Sequence, residues 1–481
     1  MTAMPGRRRF KLIAIAPMLM VGSVPVARAQ TLTYGADVGD TDIVTKLPTN
    51  NIIPILTYGG DVGVGETDNV TLVSTHKISQ TLTVADVDFA VQEQRRWFDV
   101  TAKGDFSDLD YLQGAYGNEL LGRFDGLAHL AIIPGKIAWV VQDDFGQAQV
   151  DPFAAVTPAN RENINYVSTG PDATLRLGGA GFVNLSARYA RTQYETSPFD
   201  NDRLVETIDL GRLLSAHSSV SLEGTTEHVL FADTETNTDF NRSSVYGHYE
   251  VQGARTDLTT NLGVTQVEQR GESFRGPSIK LQLSRVLSPA AKLTFGAGRD
   301  ITDASAGFSN LQPGAIGGVS TAPATISSTN YTITYASLEW QYTRNRTSVA
   351  LSGRWERDAY EGQAQSDLAR GTAEFRVDRQ LIQGLSVQVR GSAYRTTFAN
   401  VDYSDTDFLI GASLIFRKGR ATEIRLRCDH TSRTVSGIGS GYTENRIFLT
   451  VGYRPINPAP TLQGPQRTMN PQREPDSQEP L

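Results

Sequence analysis

Arginine and carboxylate recur at every second position through the last third of this 481-residue chain. Arg354 and Glu356 stand two apart, and Asp358 follows them; Glu374 and Arg376 repeat the spacing between Arg370 and Asp378. Glu423, Arg425, Arg427 and Asp429 form an unbroken alternate series, while Arg390 and Arg446 hold comparable positions in runs of their own. A guanidinium is a planar fork of donors that grips a carboxylate through two hydrogen bonds, so this set suits hydroxylated or carboxylated sugars. It also suits a cross-strand ladder of ion pairs that stiffens a wall, each exposed pair contributing about 0–1 kcal/mol. The ladder is the primary reading, and sugar contact is compatible with it.

The remaining reactive residues compose no enzyme site. The six histidines (His76, His129, His217, His228, His248, His430) are scattered, with no pair at a metal-binding spacing. His129 shares a register with Arg123 and Asp125, and His248 with Glu250, which keeps an outer-membrane hydrolase open as the least favoured reading. Asp233, Glu235, Asn237 and Asp239 place oxygen ligands at alternate positions, but the central glycine of a calcium loop is missing and Ser244 stands where its last carboxylate belongs. A solvated acidic loop is expected there. Gly63-Val64-Gly65 precedes no helix and is a strand feature, not a nucleotide cradle. No cofactor or metal is expected.

Alternation by two is the period of a β-strand, whose side chains point to opposite faces in turn. Leu385, Val387, Val389, Gly391 and Ala393 interleave with Ser386, Gln388, Arg390 and Ser392. Phe408 to Phe416, Ile424 to Cys428 and Ile447 to Tyr453 repeat the pattern. One face is oily and the other charged. The charged face meets either bulk water outside a soluble sheet or water enclosed by a barrel. The same cadence runs from about Ile55 to Arg454 and divides into roughly twenty strands of ~10–15 residues, long enough to cross an apolar layer. A charge facing lipid near the midplane costs about 2–4 kcal/mol, which sets the register: Val183, Leu185, Ala187 and Tyr189 outward, Asn184, Ser186 and Arg188 inward.

The N-terminus carries an address. Arg7, Arg8, Arg9 and Lys11 precede an apolar core from Leu12 to Val24, and Ala27-Arg28-Ala29 supplies small residues for cleavage before Gln30. Residues 1–29 are therefore expected to be a signal peptide, and 30–53 a short periplasmic leader. Its removal takes five basic residues and no acidic ones, making the mature chain more acidic than the −7 of the full sequence. That disfavours nucleic acid as a partner. Cys428 is the single cysteine, so no internal disulfide is possible. Seven prolines between Pro455 and Pro480 end the pattern, and residues 455–481 are expected to be a disordered tail.

Connections supply an independent signal. Tight links at Pro134-Gly135, Gly178-Gly179, Ser215-Ala216, Gly253-Ala254, Ser288-Pro289, Gln383-Gly384 and Lys418-Gly419 alternate with longer polar segments. The longer ones are 107–118, 151–162, 233–241, 304–328, 361–367 and 434–441. Short turns at one end and long loops at the other characterise outer-membrane barrels. The reading is an all-β, transmembrane, antiparallel up-and-down barrel of about 18–20 strands over residues 54–454, with short periplasmic turns and longer extracellular loops. Such a barrel is too wide for side chains to fill. The segment 304–328, rich in Gly, Ala and Ser, could fold inward as a constriction or extend outside as a loop.

Leu56-Thr57-Tyr58-Gly59-Gly60-Asp61-Val62-Gly63-Val64, leading into Glu66-Thr67-Asp68-Asn69-Val70, and the segment from Asn165 to Gly178 share a resemblance with the hairpin cadence that surrounds them. The chain resembles the outer-membrane β-barrel porins found with bacterial surface-polysaccharide (exopolysaccharide or capsule) systems. The resemblance implies polysaccharide passage or secretion. It implies outer-membrane lipid, lipopolysaccharide, polysaccharide and periplasmic export components as partners, and it gives no catalytic residue. The chain departs from the usual plan in its tail: many barrels end on the aromatic of the last strand, whereas Tyr453 lies well inside. The rival readings are a general diffusion porin for small anions or sugars and a structural barrel that docks a periplasmic partner.

Overall fold

The computed structural model describes residues 55–309, 327–362, 366–419, 421–437 and 439–455. The expected signal peptide, its cleavage between Ala29 and Gln30, the leader and the tail beyond residue 455 lie outside the described residues, as do residues 310–326 of the segment 304–328. The described residues fold into twenty strands. The first five are β1 (Ile55–Thr67), β2 (Gln80–Gln94), β3 (Phe98–Tyr111), β4 (Glu119–Ile133) and β5 (Ile137–Gln149). They lead to β6 (Arg161–Leu177), β7 (Gly181–Tyr194), β8 (Asn201–Ser215), β9 (Ser218–Phe231) and β10 (Phe240–Gln252). Then come β11 (Thr256–Gln269), β12 (Glu272–Ser288) and β13 (Ala291–Thr302), a one-turn helix α1 (Ala304–Ser309), and β14 (Tyr331–Arg344). The wall finishes with β15 (Thr347–Tyr360), β16 (Leu368–Ile382), β17 (Leu385–Phe398), β18 (Tyr403–Lys418), β19 (Thr422–Gly437) and β20 (Tyr442–Tyr453).

Each strand pairs antiparallel with the next, and β1 pairs antiparallel with β20, from Gly60 opposite Tyr453 to Thr67 opposite Arg446. The sheet is therefore a closed up-and-down barrel with no free edge. Large apolar side chains stand exposed on the outside all round the wall, among them Val62, Val87, Leu222, Leu262, Leu338 and Leu449. Exposure of that extent fits lipid, not water. Outward positions nearer the long loops turn polar: Asn163, Gln193, Ser243, Thr334, Thr406 and Asn445. The strands thus rise beyond the apolar belt at that end. This explains why the loops at 107–118 and 434–441 are shorter than their polar composition implied: β3 stays paired to Tyr111 and β19 to Gly437. The short–long alternation also breaks once. Arg270 and Gly271, both left-handed at φ 56 and 78°, close a two-residue hairpin at the long-loop end. Asn345-Arg346 makes a further tight turn at the other end.

The first strand explains its own glycines. Gly59, Gly63 and Gly65 lie on the inner face of β1, where β20 brings larger groups against them. A Cβ on Gly65 would sit 2.3 Å from Cδ1 of Phe448 and 2.8 Å from the Ile447 carbonyl. One on Gly59 would sit 2.5 Å from Nε of Arg454. The seam closes because β1 leaves that volume empty. Gly65→Leu is expected to abolish the compact, heat-modifiable band of the folded barrel on unboiled electrophoresis. Gly371→Ala, at a position where an added Cβ meets nothing within 4 Å, should leave that band in place.

Candidate functional site

Inner-face residues are supplied by the alternate positions of each strand, and all ten of the sequence-derived candidates fall there. Arg354 and Glu356 come from β15; Arg370, Glu374 and Arg376 from β16; Arg390 from β17. Glu423, Arg425 and Arg427 come from β19 and Arg446 from β20. Many of their pairings run along a strand, where a cross-strand ladder was expected. Arg354 pairs with Glu356, Arg376 Nε with Asp378 at 2.9 Å, Arg425 with Glu423 at 2.6 Å, Arg427 with Asp429 at 2.6 Å and Arg446 with Glu444 at 2.8 Å. Residues i and i+2 share a face about 7 Å apart, within reach of an arginine side chain. Arg370 stands directly across from Glu356, Glu374 accepts from Ser352 Oγ at 3.1 Å, and Arg354 also lies over the Tyr335 ring at 4.4 Å.

Links that reach across an intervening strand appear where a glycine makes room. Arg390 on β17 reaches across β18 to Asp429 on β19 at 3.1 Å, passing over Gly411. A Cβ on Gly411 would lie 2.2 Å from Oδ1 of Asp429 and 3.1 Å from Nε of Arg390. The same device operates at the seam. Arg454, just past β20, contacts Asp61 of β1 at 3.0 Å, Asp88 of β2, and Glu423 of β19 at 3.5 Å. Gly59 and Gly452 leave the space for it. Arg454, Asp61 and Asp88 were outside the candidate set. Their signal was present in sequence as inward-register charges on the first and last strands, but it needed the closure to bring them together.

The long-loop end has a different chemistry. Among the described residues four apolar clusters lie there inside the rim, and three of them take a side chain from a loop that folds inward. Val70, from the loop 68–79, joins Leu82, Leu109, Leu121 and Phe448. Asn69 braces it, with Nδ2 donating to the carbonyls of Val73 (2.7 Å) and Thr443 (2.9 Å). Phe153, from the loop 150–160, crosses to the far wall and packs on Phe398 (4.7 Å) and Tyr403 (4.8 Å). There Arg433 donates to the Ala154 carbonyl at 2.5 Å and also pairs with Asp405. The described part of 304–328, helix α1, folds inward as one of its two expected courses. Phe308 packs on Ala148, Ile164 and Tyr194, and Ser305 Oγ bonds Tyr194 Oη and Asn201 Nδ2, each at 3.1 Å. Inward folding of 68–79 and 150–160 carried no such sequence signal.

Helix α1 is held at its start by a buried four-membered network. Asp303 accepts from Arg203 Nη2 at 2.5 Å and from Arg242 Nη1 at 3.0 Å, and Glu227 joins both arginines. Burial by itself would raise the Asp303 carboxyl, but the two guanidiniums outweigh it and hold the group below the usual carboxylate range. Among the other readings from sequence, His248 Nδ1 meets Asn261 Oδ1 at 2.6 Å and His129 stands across from Asp99. The loop at 233–239 closes on itself: Asp233 accepts from Glu235 N (3.0 Å) and Thr236 Oγ1 (3.1 Å), and Asn237 Nδ2 donates to the Pro198 carbonyl (2.6 Å).

Two outcomes follow. Arg454→Ala leaves Asp61 and Asp88 buried without their cation, and is expected to lower barrel stability by about 3–5 kcal/mol in denaturant titration of the refolded protein. Asp303, with a depressed pKa, contributes stability that is complete above its unfolded value near ~4 and is lost as pH falls through its lower folded value. In a Cys428→Ser background, Ala306→Cys should therefore stay protected from a thiol-reactive probe, such as a pyridyl disulfide, at pH 7 and at pH 5. Protection should fall only below about pH 4, measured by short acid pulses. Loss of protection at pH 5 would count against the network as the anchor.

Residues 320–454, which hold β14 to β20, match the family described as "Putative beta-barrel porin 2". No curated protein matches the chain. Among solved structures, the siderophore receptor PirA from Pseudomonas aeruginosa is 11% identical over 85% of this chain and 81% of its own, with a TM-score of 0.40. The ferric citrate transporter FecA is 9% identical over 83% and 78% at 0.41. The FrpB iron transporter from Neisseria meningitidis is 9% identical over 83% and 81% at 0.39. The closed twenty-strand wall, its apolar belt and the porin-family match over its last strands make this chain a porin-like outer-membrane β-barrel.

Proposed function

We propose that the protein is a passive pore for small hydrophilic solutes, with hydroxylated and carboxylated sugars as the favoured class. The observation that carries this reading is the girdle of paired guanidinium and carboxylate groups inside a closed wall, below a mouth into which three loops fold. Paired groups present donors and acceptors together without a net field of one sign, which suits polar neutral or weakly acidic solutes. The inward loops favour small solutes over an extended polymer. The finer reading brought by the resemblance, passage of surface polysaccharide, requires those loops to swing out of the mouth. Extracellular placement of the long loops follows the usual asymmetry of outer-membrane barrels.

Planar-bilayer recording of the purified protein tests the proposal. Discrete conductance steps are expected, with block by short uronic-acid oligosaccharides. Arg390→Ala or Arg425→Ala should change ion selectivity while the heat-modifiable band persists. Liposome swelling should be fast with mono- and disaccharides and slow with longer oligomers; rapid entry of long oligomers would favour the polysaccharide reading instead. Absence of any steps, with glycan or lipid hydrolysis in their place, would overturn both.

A further inference from the structure

The outer surface carries a charge asymmetry that the pore reading does not use. Arg299 on β13, Arg357 on β15 and Arg395 on β17 all point outward. Each continues the outward alternation of its strand: Arg299 follows Phe295 and Ala297, Arg357 follows Trp355, and Arg395 follows Gly391 and Ala393. Arg275 on β12 shares that face, and all four side chains are exposed. Most of the inner-face arginines described above are bound to carboxylates or rings, whereas the side chains of these four have no hydrogen bond or ion pair among the described residues. Outward strand positions beside Arg299, Arg357 and Arg395 are neutral, Thr332, Thr334, Ala359, Ala369 and Thr397 among them, while Arg275 at the margin has Glu268 of β11 diagonally across. The opposite side of the barrel carries outward acids at the same height, Glu66, Asp108, Asp202 and Glu206, with one arginine among them, Arg191, paired to Asp202 at 3.9 Å.

Their height matters as much as their sign. The four lie toward the long-loop end, immediately above the apolar belt, where headgroups of the outer leaflet would be. Arg299, Thr334 and Arg357 share one cross-strand row, so the two guanidiniums arise about 10 Å apart. Trp355, Gly371 and Arg395 form a second row one repeat lower. A Cβ on Gly371 would meet nothing within 4 Å, so an open slot about 10 Å wide separates indole from guanidinium. An indole at the belt's upper edge is suited to the boundary between acyl chain and sugar. Unpaired like charges this close repel one another, and that repulsion is little screened at the edge of a low-dielectric layer. A polyanion seated on them removes the cost.

We propose that the outer face of β12–β17 is a docking surface for the phosphorylated glycolipid of the outer leaflet. Arg299, Arg357 and Arg395 take its phosphates, with Arg275 at the margin, and the Trp355–Gly371–Arg395 slot takes the adjoining sugar and acyl root. The inference rests on the outer-membrane reading and on the long loops facing outward. It predicts that the lipid shell is phosphate-dependent on one side of the barrel and indifferent to phosphate on the acidic side.

Native mass spectrometry of the full barrel in detergent, titrated with bisphosphorylated lipid A, tests it. The triple variant Arg299→Gln, Arg357→Gln, Arg395→Gln should weaken lipid A binding at least tenfold while retaining the heat-modifiable band. Dephosphorylated lipid A should bind the unaltered protein no better than lipid A binds the triple variant, and millimolar inorganic phosphate should fail to displace the lipid. Gly371→Leu, which fills the slot without changing charge, should also lower occupancy and serves if the triple variant fails to fold. Asp202→Asn with Glu206→Gln should not weaken binding. Equal binding to the triple variant, or no dependence on the lipid's phosphates, overturns the inference and leaves the pore reading intact. Failure of the unaltered protein to fractionate with the outer membrane would sink the reading beneath it.

Discussion

A hydrocarbon layer offers no hydrogen bonds, so every backbone N–H and C=O that crosses it must find a partner within the protein. For a sheet, the one complete solution is closure, and here closure means that the first strand meets the last. The β1–β20 ladder is the joint on which the other features depend. It fixes which residues of β1 face Phe448 and Arg454, and so why that strand is glycine-rich on its inner face. It also fixes the neighbourhood in which Asp61, Asp88 and Glu423 surround one guanidinium. Without the joint, both edge strands would expose unpaired backbone to lipid, and three carboxylates would lose their common cation.

Two interior chemistries divide the barrel along its axis. At belt level the inner wall is charged, and its charges are neutralised within one strand, between neighbouring strands or across a glycine gap. Several of these groups are nearly inaccessible, Glu423 at 1% and Arg425 at 3% among them. Burial of that degree makes the pair valuable chiefly through the penalty of breaking it. Towards the long loops the wall becomes apolar inside and polar outside, an inversion of the belt below. That inversion gives the loops something to hold: Val70, Phe153 and Phe308 each bury an apolar side chain against the inner rim. The mouth is thus narrowed by the hydrophobic effect. Polar anchors, Asn69, Arg433 and Asp303, then fix the geometry.

Strand number to within about two, the direction of the faces and the barrel architecture were legible because a period of two is unambiguous once one face must be apolar. Leu185 and Tyr189 against Asn184 and Arg188 could be sorted by alternation alone. Pairing partners within one strand were also available in principle, since Arg425 and Glu423 are separated by a single residue. The less legible features were those that depend on distant chain segments. A glycine in a strand signals an unspecified close approach, and only the register shows that Gly411 accommodates Arg390 and Asp429, or Gly65 the Phe448 ring. Loop direction was equally hidden. Residues 150–160 are rich in turn formers, and nothing local reveals that Phe153 belongs to a cluster on β16–β18. The network of Arg203, Glu227, Arg242 and Asp303 joins three strands and a loop, each individually unremarkable.

The seam has a temporal side as well. Hairpins between successive strands can form as soon as their own residues are delivered, whereas Arg454 and Asp61 are 393 positions apart. The last ion pair of the wall therefore cannot form until almost the entire chain has reached the membrane. A truncated or stalled product would carry a growing sheet with two open edges and two uncompensated acids, Asp61 and Asp88, near the N-terminal one. Such a product is chemically distinguishable from a finished barrel, because its N-terminal hairpin still displays the carboxylates of Asp61 and Asp88 that Arg454 would have covered. The closing arginine thus acts as a completion mark, written into the chain only when synthesis and delivery are done.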